Sequence, residues 1–298
     1  MNLFALLLGL AIERLLTHLF HLREFRWLDP LFDTVFAPLS RGGKWLVLIA
    51  VLSLALALSL PVAAAAWLLD DALLQVPYFI FASIVLLFSL GPRDLKEEVD
   101  EYAAAVDAGQ PEEMRRLAKE LIEHDPPEDP MEQQREVERA IYVQANNRVF
   151  GVVFWFILLG PAGAWLYRVL DLMRRRVAFR YSDEDQQWAA LNAAVRNLHG
   201  LLAWIPARLL AIGYALAGSF EEAIADWRRY YDNCAPRFFD VNDDVVACAG
   251  VGAAGRATES GEVESAARVR AAMDLVIRTL WLIWCPVIAV LTLYDLVV

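Results

Sequence analysis

Cysteine, histidine and positive charge are scarce in this sequence. Its 298 residues include three cysteines and four histidines, and 27 lysines and arginines stand against 38 aspartates and glutamates, a formal net charge of −11. Because binding to a nucleic-acid backbone depends on clustered lysine and arginine, we expect no nucleic acid as a partner. Cys234, Cys248 and Cys285 form no C-x-x-C pair, so we predict neither a disulfide framework nor a thiolate metal site.

The common catalytic and nucleotide-binding motifs are also missing. The sequence contains no G-x-S-x-G, no Walker A loop and no G-x-G-x-x-G, and its cysteines have no histidine nearby. Nucleophilic catalysis therefore has no support, and a nucleotide would need a site of another kind. We predict no cofactor and no metal ion.

Apolar residues are abundant instead. They make up 58% of the chain, and the mean hydropathy is +0.39, whereas soluble domains are closer to 45–50% apolar. A membrane-spanning helix needs about 20 mostly apolar residues. The stretches 45–68, 73–90 and 275–298 meet this requirement, and 2–20 is long enough but contains Glu13 and Arg14.

The arginines predict an unusual path for residues 149–170. Lysine and arginine favour the cytoplasmic side, which places the link 21–44 and the start of the segment after residue 90 inside and the N-terminus outside. A straight crossing by 149–170 would put Arg174–Arg176 outside. The stretch also contains "GPAG" at 160–163, where proline removes a backbone donor. We favour two half-helices that re-enter and return; the alternative is that 149–170 and 200–217 both span.

The sequence thus predicts an all-α, polytopic helical membrane protein with about four spans, a re-entrant or broken helix and cytoplasmic helical insertions. The insertion 92–148 has helical periodicity broken at "AGQP". The expected segments are N-terminal membrane helices (1–91), a cytoplasmic helical insertion (92–148), a membrane core (149–218), a soluble helical segment (219–274) and a C-terminal membrane helix (275–298).

Polar residues in these apolar segments are the candidate ligand-binding residues. Glu13 can face the interior of the helix bundle, where ionisable groups usually mark function, or lie where the first helix ends. Asn146 and Asn147 precede an apolar run and either bind neighbouring helices or cap and face the interface. Arg168 and Asp171, three residues apart, can form an ordinary ion pair.

Arg208 follows Pro206 inside the apolar run "LLAWIPARLLAIGYALAG". It can point into the bundle at an anionic group, for which Glu13 is a candidate, or extend to the interface. We predict that Glu13, Asn147 and Arg208 converge on one polar cluster, because an unpaired buried polar group costs about 1–3 kcal/mol.

Several motifs resemble one family of membrane proteins. "QANNRVFGVVFWFILLGPAGAWLYRVLDLM" and "AWIPARLLAI" resemble the central segments of the cobalamin-biosynthesis amide-forming proteins CobD/CbiB. "MNLFALLLGLAIERLL" and "PVIAVLTLYDLVV" resemble the two ends of the AmpE branch. The resemblance implies a multi-pass protein of the bacterial inner membrane.

The departures from the cobalamin pattern favour the AmpE branch. Asn147 keeps the motif asparagine, but Asn146 replaces a glutamate, Phe150 and Arg174 replace aspartates, and His199-Gly200 replaces an aspartate pair. Mg²⁺ is held by carboxylates together with phosphates, so these losses argue against a Mg²⁺–nucleotide site.

The resemblance therefore implies an AmpE-like protein associated with β-lactamase induction and peptidoglycan-recycling signalling. It would bind an unknown anionic small molecule, or an inner-membrane or periplasmic partner protein, in the lipid bilayer. The missing carboxylates favour a protein that is not an enzyme. The alternative is a CobD/CbiB-type enzyme that joins adenosylcobyric acid to an aminopropanol compound through an amide. A transporter has less support because we find no inverted repeat.

Overall fold

The computed structural model describes residues 25–70, 76–91, 94–180, 188–233, 241–255 and 266–297. Within these ranges the chain is helical and contains no strand. The helices, in chain order, are α1 (Asp29–Phe36), α2 (Lys44–Asp70), α3 (Val76–Ser89), α4 (Leu95–Asp107), α5 (Pro111–Ile122), α6 (Pro130–Ala145), α7 (Gly151–Arg180), α8 (Ala189–Ala217), α9 (Phe220–Asn233), α10 (Val241–Ala254), α11 (Ala266–Thr279) and α12 (Cys285–Val297). Single π-helical turns, Asn146–Phe150 and Leu280–Trp284, precede α7 and α12.

Within the described ranges, four helical stretches are long and apolar enough to cross a bilayer. They are Lys44–Asp70, Pro130–Phe179, Ala189–Ala217 and Ala266–Leu291. The predicted helical, polytopic membrane fold is confirmed. The predicted span 73–90 corresponds to α3, whose 14 residues extend about 21 Å and so are shorter than the other four stretches.

The chain divides into two compact units. The first unit comprises residues 1–92 and 147–202, and the second comprises 93–146 and 203–298. In the first unit, α2, α3 and α7 pack against one another. In the second, α4 packs on α5 and α11, while α6 packs on α10 and α11.

The helix α2 has one buried edge and a wide apolar surface. Val47, Val51 and Ala55 recur every four residues, so they lie on one side of the helix, and each is fully buried. Near the two ends, Trp45 and Trp67 are each 78% exposed. Exposed apolar side chains between tryptophans are typical of a helix whose surface contacts lipid.

The helix α7 folds back on itself. Gly160 leaves the helical conformation, with φ 66° and ψ −156°, and Pro161 starts the second limb. The hydroxyl of Tyr167 lies 3.3 Å from Oδ1 of Asn147, although a straight helix would separate these residues by about 30 Å. The predicted broken helix is confirmed, and 149–170 does not run straight.

Two glycines allow the limbs of this hairpin to touch. A Cβ on Gly151 would overlap the ring of Tyr167, and one on Gly163 would lie 2.5 Å from the carbonyl oxygen of Trp155. The first limb, 151–159, is about 14 Å long, less than half the thickness of the hydrocarbon layer. The close approaches at Gly151 and Gly163 show that the two limbs pack tightly against each other.

The second limb of the hairpin runs antiparallel to α2. The indole Nε1 of Trp165 donates to the carbonyl oxygen of Leu58, at 3.0 Å. Eleven residues later, Arg176 binds Asp29 and Asp33 on α1, just before α2 begins, at 3.1 and 2.6 Å. These anchors fix the direction of the limb and its register against α2.

The insertion predicted at 92–148 forms the helices expected from its periodicity. α4 begins at Leu95, directly after the N-cap Asp94, whose carboxylate accepts the backbone N–H of Lys96 at 2.9 Å. α5 begins at Pro111, a residue suited to a first turn. Glu123 ends α5 in the left-handed conformation, with φ 66°. The helices break at "AGQP", as predicted.

Candidate functional site

Three sequence motifs meet inside the first unit. Tyr167, on the second limb of the hairpin, places its hydroxyl 3.3 Å from Oδ1 of Asn147, and its ring centroid is 5.2 Å from that of His199 on α8. Asn147 and Tyr167 are fully buried, and His199 is almost so. The positions aligned with the cobalamin motifs therefore lie side by side although they are distant in sequence.

An ion-pair network adjoins this contact. Nη1 of Arg168 lies 2.9 Å from Oδ2 of Asp171, and Nη2 of Arg174 lies 2.9 Å from Oδ1 of the same carboxylate. Nε2 of His199 is 4.0 Å from that Oδ1. The predicted pair of Arg168 and Asp171 is present, and Arg174 extends it.

The burial of these charges makes the network expensive to break. The side chain of Arg168 is fully buried, that of Asp171 is 1% exposed, and that of Arg174 is 16% exposed. Removing one partner from a buried ion pair typically costs about 3–5 kcal/mol, because it leaves an uncompensated charge. Asp171 holds the two guanidinium groups together.

The residues present do not fit a magnesium–nucleotide site. Mg²⁺ takes oxygen ligands, usually one or two carboxylates together with phosphates. At the motif positions Asp171 contributes the carboxylate, and both of its oxygens accept hydrogen bonds from guanidinium groups. Among the described residues, no three His, Cys, Asp or Glu side chains come together as a metal site.

Asn146 lies at the start of the π-helical turn. Its backbone N–H bonds the carbonyl oxygens of Tyr142 and Val143, and its side chain is 1% exposed. π-Helical turns are rare and often occur at functional sites. This turn directly precedes the hairpin and includes Asn147.

Pro206 leaves one backbone acceptor of α8 without its helical donor. A proline has no N–H, so the carbonyl four residues earlier, that of Leu202, lacks an intrahelical bond. Nε1 of Trp155 donates to that oxygen at 3.0 Å. The proline in "WIPARLL" thus creates a specific docking point for the first limb of the hairpin.

Arg208 is held in a fixed orientation in the second unit. Its Nη1 donates to the carbonyl oxygen of Trp204 at 2.9 Å and to Oδ1 of Asn242 at 2.7 Å. Its Cζ lies 4.3 Å from the centre of the Trp204 ring, within cation–π range. Asn242 is 2% exposed, so the acceptor is anchored in the interior.

The predicted convergence of Glu13, Asn147 and Arg208 stays a prediction. Glu13 lies outside the described residues. Asn147 belongs to the first unit with Arg168 and Asp171, whereas Arg208 belongs to the second with Asn146. Asn147 contacts Tyr167, and Arg208 contacts Trp204 and Asn242.

Sequence reasoning missed four of these residues as site candidates. Tyr167, His199, Trp155 and Asn242 all contribute side chains to the contacts described above. His199 had a signal, since it replaces a motif aspartate. Trp155 had one as well, because a proline four residues after a carbonyl implies a substitute donor.

Comparison with known proteins identifies the family of the chain. The family model described as "Regulatory signalling modulator protein AmpE" matches residues 1–298. The cobalamin biosynthesis protein CobD of Stutzerimonas stutzeri strain A1501 is 30% identical over 198 residues, covering 66% of this chain and 62% of that protein. CobD of Chromobacterium violaceum is 27% identical over 198 residues, covering 65% and 60%.

The chain thus spans about three fifths of the length of the curated relatives that it matches. No solved structure matches it. The family match covers all 298 residues, including the two ends that carry the AmpE resemblance. The chain belongs to the AmpE family.

Proposed function

We propose that this chain is a regulatory protein of the bacterial inner membrane that acts in β-lactamase induction and peptidoglycan-recycling signalling. It binds an anionic ligand or a partner protein and does not catalyse a reaction. The full-length match to a family described as a regulatory signalling modulator supports this role.

One observation carries the non-catalytic part of the proposal. Where the motif resemblance places acidic residues, this chain has Arg174, which is bound to Asp171, and His199 beside it. The carboxylate is engaged on both oxygens by guanidinium groups within the same unit. This ion-pair network fixes the position of Asp171, and guanidinium groups already occupy both of its carboxylate oxygens.

The second candidate is a CobD-type enzyme that forms an amide between adenosylcobyric acid and an aminopropanol compound. The 30% identity to a CobD protein over 198 residues favours it, as does Asn147, which keeps the motif asparagine and contacts Tyr167. Arg174 and His199 argue against it, because they stand where the motif resemblance places aspartates, and Mg²⁺ is bound through carboxylates together with phosphates.

Two strains separate the candidates. The first lacks the gene for this chain, and β-lactamase activity is measured after exposure to an inducing β-lactam. We expect induction to change and to be restored by the wild-type chain. The second lacks its own CobD protein and is given this chain. Growth that depends on cobalamin should not return in the second strain, and its return would favour the CobD-type enzyme. Unchanged β-lactamase induction in the first strain would contradict the signalling role.

A matched pair of variants links the test to the network. Asp171→Asn breaks the buried pairs with Arg168 and Arg174, whereas Asp244→Asn breaks a pair with Arg139 whose side chains are each 42% exposed. Induction should fail in the first variant and persist in the second at equal membrane abundance. Equal induction in both would show that the network does not serve the function.

A further inference from the structure

The guanidinium of Arg208 has a bound edge and an open edge. Among the described residues, this side chain makes two hydrogen bonds, and both leave from Nη1, toward Trp204 and Asn242. In the part of the chain that the structure describes, no carboxylate lies within ion-pair distance of it. The edge formed by Nε and Nη2 has the geometry that binds phosphate or carboxylate in a bidentate manner.

The face of α8 next to Arg208 is apolar and exposed. On α8, Ile205, Leu209, Ile212 and Leu216 are 43%, 42%, 44% and 58% exposed, and their spacing places them on one face of the helix. We call these four residues the α8 stripe. Arg208 follows Ile205 by three positions and precedes Ile212 by four, so its side chain lies at the edge of the stripe. An exposed apolar stripe on a membrane protein is suited to contact with lipid chains.

We propose that Arg208 and the α8 stripe form a binding site for an anionic phospholipid. The phosphate occupies the Nε–Nη2 edge of the guanidinium, and the acyl chains lie along the α8 stripe. This inference deepens the proposed function and rests on it for the view that the chain binds an anionic ligand.

Charge and shape both favour this occupant over a soluble anion. A guanidinium among lipid-exposed apolar side chains is costly unless an anion compensates it. A phospholipid supplies the anion and covers the apolar stripe at once, whereas a soluble anion would leave the stripe exposed. Asn242 and Trp204 keep the guanidinium from rotating, so the site is formed before the lipid arrives.

The site can be tested with purified full-length protein in detergent. Equimolar phosphatidylglycerol and phosphatidylcholine with identical chains are added, and the bound lipids are counted by native mass spectrometry. We expect phosphatidylglycerol to be preferred about tenfold, the ratio that 1.4 kcal/mol produces. If the wild-type protein shows no preference for phosphatidylglycerol over phosphatidylcholine, that result alone overturns the proposal.

Four variants localise the preference. Arg208→Gln should abolish it, and Arg208→Lys, which keeps the charge but not the fork, should reduce it. Ile212→Glu offers Arg208 a carboxylate one helical turn away and should displace the lipid. The control Arg116→Gln removes the same charge from an exposed face of α5, where Arg116 pairs with Glu113, and should change nothing. A preference that survives both Arg208→Gln and Ile212→Glu would overturn the proposal.

Competition separates a lipid site from a phosphate site. Excess inorganic phosphate should leave bound phosphatidylglycerol in place, because it cannot cover the α8 stripe. Displacement by inorganic phosphate would overturn the lipid assignment. These measurements do not depend on β-lactamase induction. A failure of lipid binding therefore leaves the signalling role standing, and a failure of the signalling role leaves lipid binding standing.

Discussion

Trp155 donates its indole N–H to the carbonyl oxygen of Leu202, which Pro206 deprives of a helical donor. The contact joins the hairpin to α8 through a single hydrogen bond to backbone. Its position follows from two residue types, a tryptophan that can donate and a proline that cannot. The carbonyl oxygen that lacks a helical donor is thus the one that binds the hairpin.

Trp155→Phe should destabilise the protein by about 1–3 kcal/mol, because it leaves the Leu202 carbonyl without a partner. Thermal unfolding in detergent would measure the loss. In a Pro206→Ala background, the new N–H can bond that carbonyl within the helix, so the same substitution should cost less. Equal costs in the two backgrounds would show that the indole does not serve the freed carbonyl.

Gly163→Ala should prevent the hairpin from closing. The new Cβ would lie 2.5 Å from a backbone oxygen, that of Trp155, which cannot move aside as a side chain can. We expect a loss of at least about 3 kcal/mol, the upper end of the usual cost of overpacking. Gly43→Ala is the control, since no atom lies within 4 Å of the added Cβ. Size-exclusion profiles that are alike for both variants would contradict the packed hairpin.

Asp171→Asn should cost about 3–5 kcal/mol, as expected when a buried carboxylate is removed from its guanidinium partners. Asp244→Asn breaks the pair with Arg139, in which each side chain is 42% exposed, and should cost about 1 kcal/mol or less. Chemical unfolding of the two variants in the same detergent gives the comparison. A small cost for Asp171→Asn would mean that the network contributes little to stability.

The pKa of Glu113 should lie below its ordinary value, because its carboxylate accepts a hydrogen bond from Arg116. A carboxyl whose pKa is depressed on folding stabilises the folded state above its unfolded pKa, and this contribution disappears as the pH falls through the folded pKa. NMR titration of the labelled carboxyl in the full-length protein would measure the shift.

Arg116→Gln should return the pKa of Glu113 toward its ordinary value. The pKa of Asp125, which Lys119 lowers through a hydrogen bond, serves as the internal reference and should stay depressed in this variant. If both pKa values rise together, a general change in α5 and not the single pair is responsible.

The hairpin could be predicted from sequence because its causes are local. Glycine and proline at 160–163 act through their own backbone, and the arginines after the second limb oppose a straight crossing. The pairing of Arg168 with Asp171 is also local, since the two residues are one helical turn apart. In these places spacing along the chain was sufficient.

The partners between helices could not be predicted in the same way. Periodicity indicates which face of a helix is buried, but not which turn of a neighbour it meets. Thus the bond from Trp165 to Leu58 and that from Arg208 to Asn242 appear only in the folded chain.

The two exposed tryptophans of α2 also act as a depth scale. At 1.5 Å per residue, Trp45 and Trp67 are about 33 Å apart, close to the thickness of a hydrocarbon layer. On this scale Leu58 lies about 20 Å from Trp45. Because Trp165 is bonded to Leu58, the hairpin tip stops about 8 Å short of the level of Trp67.

Asp171 is displaced from Trp165 in the opposite direction, toward the level of Trp45, and lies about 10 Å inside it. With the tryptophans at the two interfaces, Asp171 and its guanidinium partners stand within the region across which the transmembrane voltage falls. A charge that moves through the whole of that region changes its energy by about 2.3 kcal/mol per 100 mV. A rearrangement of this network along the membrane normal would therefore couple to the membrane potential.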